Sequence, residues 1–213
     1  MSRPKPEPSL QRRRYFEFAF AFACVFAGLA LPSPGIGPLY VRLHTAIGNA
    51  LVDNDERPSG VTLRFTAEPA RLAQEPWQTT LVVTPPAAEP LLMPIDLRSL
   101  MFLPTVAFIA LALAAPLGSW RKNLRLLLFG LPALELLLLV LNALPLLSFL
   151  GGTGPVSAFT LALPVHAVLQ VLYRALVAPP GMAYAIPLLL WWCLLVKLRS
   201  QAVPAAARAN DAA

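Results

Sequence analysis

The chain has 213 residues, of which 57% are hydrophobic and 13% charged, with a formal net charge of +6. So little charge does not cover the surface of a soluble domain of this length. The basic residues stand at the ends of apolar stretches instead of on one face with aromatics between them, which excludes a nucleic-acid binder. Cys24 and Cys193 both fall inside apolar segments with no CxxC pair, so neither a zinc site nor an extracytoplasmic disulfide is expected.

Residues 1–14 are polar and proline-bearing, end in Arg12, Arg13 and Arg14, and read as a cytoplasmic tail. Residues 15–31, rich in Phe and Ala, form the first predicted span, near the lower limit of about 17 residues. A cleaved signal peptide is the competing reading, with Gly28-Leu29-Ala30 as the cleavage site. The uncleaved anchor is preferred, because that consensus is weak. Residues 32–98 are the one sizeable hydrophilic region. Leu39, Leu43, Ala46, Ile47, Ala50 and Leu51 recur at helical spacing. Asp53 to Gly60 reads as a loop. Val61, Leu63 and Phe65 then alternate with Thr62, Arg64 and Thr66 as a strand, and Trp77 to Thr84 is a second strand, paired with the first through a long connection. Such a helix-plus-hairpin unit is too small for a strong core of its own.

Residues 100–118 are the second predicted span, 119–125 a cytoplasmic loop bearing Arg121, Lys122 and Arg125, and 126–150 the third span. Gly151 to Pro155 breaks the chain, and 151–181 is an outer loop. Residues 182–196 are the last span, with Trp191 and Trp192 near its inner end, and 197–213 a cytoplasmic tail, Ala-rich and disordered from Ser200. Basic residues beside spans stay in the cytoplasm, so Arg12 to Arg14, Arg121 to Arg125, and Lys197 with Arg199 place both termini inside. Val156 to Ala178 is long enough for a fifth span, but that would put Lys197 and Arg199 outside. It is read as an amphipathic outer helix instead. The predicted fold class is a membrane all-α bundle of four transmembrane helices with a small α+β extracytoplasmic insertion.

Glu135 lies inside the third span, where a carboxylate is costly and by default a functional candidate. Asn142, seven residues on, returns to nearly the same face. The plainer reading, glue between helices, is preferred, because one carboxylate without a second intramembrane charge makes a poor relay. His166, Gln170 and Arg174 recur every four residues, with Tyr173 beside them. This polar stripe would meet an anionic headgroup or a partner's carboxylate, or simply be the wet face of an interfacial helix. Asp96 and Arg98 precede the second span. They would orient the outer unit or contact a partner, although solvated charges at a helix end explain them as well. His44 and His166 alone define no metal site. Cys24 with His166 and Arg174 would suggest a membrane thiol protease, but the topology separates them. No catalytic residue, cofactor or metal site is read from the chain.

Several features taken in order carry a resemblance. They are a basic start and anchor, an outer unit containing Thr79-Thr80-Leu81-Val82-Val83, a span with Leu103-Pro104, and a basic connection from Arg121 to Arg125. Leu169 to Val177, Pro179-Pro180-Gly181 and a Pro187-Leu188-Leu189-Leu190-Trp191-Trp192 span follow. In this organisation, which covers most of the chain, the protein resembles the small membrane proteins that accompany exosortases in bacteria, particularly the exosortase H-associated type. The resemblance implies an inner-membrane accessory or assembly protein beside a transpeptidase-like sorting enzyme, or an envelope export system, and supplies no catalytic residues. The expected partners are membrane lipids and a membrane protein. The alternatives are a channel or transporter component using Glu135, and a membrane enzyme acting on lipid or peptide.

Overall fold

The computed structural model describes residues 8–31, 35–52, 60–67, 77–86, 89–117, 119–151, 161–177 and 182–210. They form helices α1 (Pro8–Ala30), α2 (Ile36–Val52), α3 (Leu103–Ala114), α4 (Trp120–Leu150), α5 (Leu163–Leu176) and α6 (Met182–Asn210), and strands β1 (Thr62–Ala67), β2 (Gln78–Thr84) and β3 (Leu91–Asp96). The protein is therefore mostly helical, with one small antiparallel sheet of order β1-β2-β3. Among the described residues one helix, α4, is long and apolar enough to cross a membrane. It has 31 residues, and only 28% of its most apolar stretch is buried within the protein. Arg98–Ala114, Leu163–Leu176 and Tyr184–Leu198 are shorter apolar helical runs. Asp53 to Ser59, Gly152 to Pro155 and Pro179 to Gly181 lie outside the described residues.

Several expected boundaries move. The sheet has three strands where a hairpin was expected. β3 escapes an alternation test because Leu91 and Leu92 are adjacent apolar residues and Pro94 interrupts the run. Pro94 fits because β3 is an edge strand. Residues 119–125 are not a loop. Lys122 and Asn123 donate their backbone N–H groups to Ser119 O at 3.0 and 3.4 Å, so α4 starts at Trp120 and the basic cluster sits in its first turns. Burial of Leu126 anchors that start, and Arg, Lys and Leu are good helix formers. The second apolar segment is helical from Arg98, through a π turn Arg98–Phe102, and α3 ends at Ala114. Pro116 sets that end, since the residue before a proline is pushed out of the helical region. α1 begins at Pro8, so Arg12 to Arg14 lie on the helix, where Arg13 Nε reaches Glu17 Oε1 at 2.9 Å. The backbone of α6 continues to Asn210, where a disordered tail was expected; alanines favour the helix.

The chain divides into two compact units: Met1–Leu31, Pro104–Glu135 and Tyr184–Ala213 in the first, Pro32–Leu103 and Leu136–Ala183 in the second. The first is helical. Phe108 on α3 is fully buried and fills the notch that Gly130 leaves on α4, where an added β carbon would overlap the ring and stand 3.1 Å from Leu194 Cδ1. Phe18 on α1 stacks on the buried Trp191 of α6 at 5.8 Å.

The second unit is built on the sheet. The register places Leu63 and Phe65, Leu81 and Val83, and Met93 and Ile95 on one face. Leu146 and Leu150 from the end of α4 pack on that face together with Val61. α2 covers it as well, but not with the stripe its sequence advertises. Gly37, Val41, Thr45 and Gly48 turn inward, while Leu39, Leu43 and Leu51 are 69%, 53% and 73% exposed. The reason is close approach. A β carbon at Gly48 would stand 2.7 Å from Phe65 Cδ2, and one at Gly37 would stand 3.0 Å from Trp77 Cε2. Only a face of small residues lets a helix lie this near aromatic rings. Gly48→Leu is expected to displace Phe65 and destabilise the second unit by about 1–3 kcal/mol, read as faster limited proteolysis within residues 36–96. Gly28→Leu on α1, with no neighbouring atom within 4 Å, should leave proteolysis unchanged.

Candidate functional site

Glu135 finds its partner on the neighbouring helix. Thr105 Oγ1 on α3 donates to Glu135 Oε1 on α4 at 2.7 Å, and Glu135 is half-buried. A carboxyl group among apolar residues is tolerated where a hydroxyl meets it. Asn142 does not join this pair; its Nδ2 donates to Leu138 O, one turn back on its own helix, at 2.8 Å. The two polar groups of α4 therefore have separate partners, and a continuous polar path along the helix is not formed by them.

On α5, Gln170 Nε2 and His166 Nε2 are 3.0 Å apart, so two members of the predicted stripe do meet. Arg174 lies in the last turn, where a cation complements the helix C-terminus. None of the α5 side chains is fully buried. His166, Leu169 and Tyr173 are its half-buried positions, while Leu163, Val168 and Val171 are 82%, 58% and 65% exposed. Its 14 residues rise about 21 Å, less than a span of about 30 Å requires.

Asp96 and Arg98 stand two residues apart, and the Asp96 side chain meets the Arg98 backbone. Asp96 Oδ1 accepts the N–H of Arg98 at 2.9 Å and of Ser99 at 3.4 Å, and Ser99 Oγ donates to Asp96 Oδ2 at 2.5 Å. Asp96 is thus a helix cap, satisfying amides that the first helical turn leaves open. Asn123 plays the complementary part beyond α3, its Nδ2 donating to Leu113 O at 3.3 Å and Ala115 O at 3.4 Å.

The arrangement that sequence reasoning missed surrounds α2. Tyr40, Trp77 and Phe102 form an aromatic cluster, with Trp77 and Phe102 centroids 4.5 Å apart and Tyr40 5.7 Å from Phe102. His44 lies against Tyr40 at 4.3 Å, and its Nδ1 stands 3.0 Å from Tyr40 O. One turn further, Asn49 clasps the outer edge of β1. Its Nδ2 donates to Phe65 O at 2.9 Å, and its Oδ1 accepts the Phe65 N–H at 2.7 Å. The side-chain amide thus takes the place of a neighbouring strand at that position. Thr45 Oγ1 adds a contact at 3.0 Å to Thr79 Oγ1, which donates to Thr66 O. The signal available was glycine: Gly48 inside the predicted helix weakens it unless close packing requires it.

Among the described residues no group of three His, Cys, Asp or Glu side chains is placed to hold a metal ion. Cys24 and Cys193 are both free and exposed. Comparison with protein-family models, with characterised proteins and with solved structures finds no match to this chain.

Asn49→Ala leaves a backbone N–H and C=O of β1 without their partners. It is expected to cost about 1–3 kcal/mol and to speed hydrogen exchange at the Phe65 amide, with little change at the Leu134 amide in α4. Glu135→Gln, which still accepts from Thr105, should keep the thermal midpoint in detergent within about 2 °C, whereas Glu135→Leu should lower stability by about 0.5–2 kcal/mol.

Proposed function

We propose that the chain is an integral membrane accessory subunit whose sheet-bearing unit docks on the extracytoplasmic face of a membrane-embedded partner. The observation that carries this reading is the inverted helix α2. It seats its small and polar face on the sheet and holds Leu39, Leu43 and Leu51 outward, with Arg42 among them. An apolar stripe held on a packed element, with exposed residues of opposite character beside it, is the form of a docking face.

The membrane part of the reading is four spans, supplied by α1, by Arg98–Ala114, by α4 and by the apolar part of α6, with both termini in the cytoplasm of a bacterial inner membrane. α4 supports it by length and composition. The 17 residues of Arg98–Ala114 rise about 25 Å, a mismatch that local thinning of the bilayer or snorkelling of flanking residues accommodates. The basic clusters flanking these segments support the orientation. The reading of the partner as a sorting enzyme rests on the resemblance in organisation, read from the sequence, to exosortase-associated proteins.

A photocrosslinker at Leu43 in native membranes is expected to capture a membrane-embedded sorting enzyme. Leu39→Lys with Leu43→Lys should reduce that capture about tenfold while leaving the far-ultraviolet circular dichroism unchanged. Labelling of phospholipid alone would turn the face into a membrane-surface contact and defeat the docking reading. A proton-coupled flux abolished by Glu135→Gln with capture unaffected would favour a transporter component. For topology, alkaline phosphatase fused after Asp55 or Gly152 should be active; inactivity at both positions would refute the orientation.

A further inference from the structure

Arg125 and Lys197 stand at a groove of about 510 Å³ whose other walls are Leu126, Phe129, Leu194 and Leu198. All six belong to the first unit. On each helix the lining residues fall within a single turn and share a face, Arg125 with Phe129 on α4 and Leu194 with Leu198 on α6. Gly130 and Leu194 lie at the same level, since a β carbon at Gly130 would stand 3.1 Å from Leu194 Cδ1. Arg125 is then about 7 Å along α4 from that level, and Lys197 about 4–5 Å along α6. In the antiparallel order that the four-span reading gives the two helices, Arg125 and Lys197 lie towards one end, beside Leu126 and Leu198, and Phe129 and Leu194 lie towards the other.

Among the described residues that line the groove, the charged ones are both basic. Arginine and lysine both meet phosphate oxygens well, one through a planar fork and the other as a point charge. A free phosphate would leave the Phe129 and Leu194 walls unused. An apolar helix laid in the groove would press hydrocarbon against two charges, which is unfavourable. An amphiphile with an anionic head and an aliphatic tail matches both ends, and the volume lies in the range of about 300–1,000 Å³ common to ligand sites.

We infer that the groove between α4 and α6 binds an anionic phospholipid, with its phosphate on Arg125 and Lys197 and the first part of an acyl chain along Phe129 and Leu194. This site is separate from the α2 docking face, so either stands if the other fails.

The test uses the full chain, reconstituted with equal amounts of phosphatidylglycerol and phosphatidylcholine and released for native mass spectrometry. Phosphatidylglycerol should be retained about tenfold over phosphatidylcholine. Arg125→Gln with Lys197→Gln should remove the preference, while Arg42→Gln with Arg64→Gln in the second unit should leave it intact. Equal retention of the two lipids by the unaltered chain would overturn the site, as would a preference that survives the Arg125 and Lys197 changes. Displacement of the retained lipid by inorganic phosphate would also overturn it, in favour of a simple anion site. If the double variant does not fold, fluorescence of the unaltered protein decides. Brominated phosphatidylglycerol should quench Trp191 and Trp192 more strongly than brominated phosphatidylcholine, and equal quenching counts against the proposal.

Discussion

The side-chain amide of Asn49 decides which face of α2 meets the sheet. Its two hydrogen bonds to Phe65 occupy both backbone groups of one residue on the free edge of β1. A backbone edge left open is a template for another chain, so filling it from within also limits unwanted pairing. The geometry works only if the helix comes close, and Gly48, packed against the Phe65 ring, lets it do so. Gly37 beneath Trp77 repeats the arrangement three turns earlier. With the inward face given to small and polar residues, the leucines of α2 have nowhere to go but outward. The outward set of the α2 leucines is thus a consequence of how the sheet is closed.

A similar economy of polar groups runs through the helices. Thr105 meets Glu135, Asn142 bonds its own helix, Asn123 holds carbonyls at the end of α3, and Asp96 caps the turn that precedes it. In surroundings with little water a polar group without a partner is expensive. The exposed positions show the converse. Leu128, Phe129 and Leu136 on α4 are 65%, 67% and 65% exposed. Such a patch is unfavourable in water and natural against hydrocarbon. The helices thus present apolar surface outward, as a membrane segment does.

Legibility in the sequence followed the strength of the periodic signal. β1 was legible because Leu63 and Phe65 alternate with Thr62, Arg64 and Thr66, and β2 because its run is rich in threonine and valine. β3 was not, because a leucine pair and Pro94 break the period, and only pairing with β2 makes the segment a strand. The boundaries of α4 were misjudged for the opposite reason: Arg121, Lys122 and Arg125 look like a loop by charge, yet favour a helix by backbone propensity. Among the candidate residues of the stripe, His166 and Gln170 are in contact, since four-residue spacing on a helix dictates proximity. Glu135 and Asn142 share spacing too, but their partners lie elsewhere. Asp96 and Arg98 proved to be linked through a cap.

Composition and patterning by themselves determined that the chain is apolar, that it is mostly helical with a small strand-bearing segment, and that its cations cluster beside the apolar stretches. These are local properties, set by side-chain transfer energies and backbone propensities within a few turns. Which face of α2 points inward, that Phe108 fills the notch at Gly130, and that Arg125 and Lys197 share one groove were decided only by tertiary structure. Each depends on two elements far apart in sequence approaching to van der Waals distance. That approach is governed by the absence of side-chain atoms at particular glycines, and a periodicity of apolar residues carries no record of it.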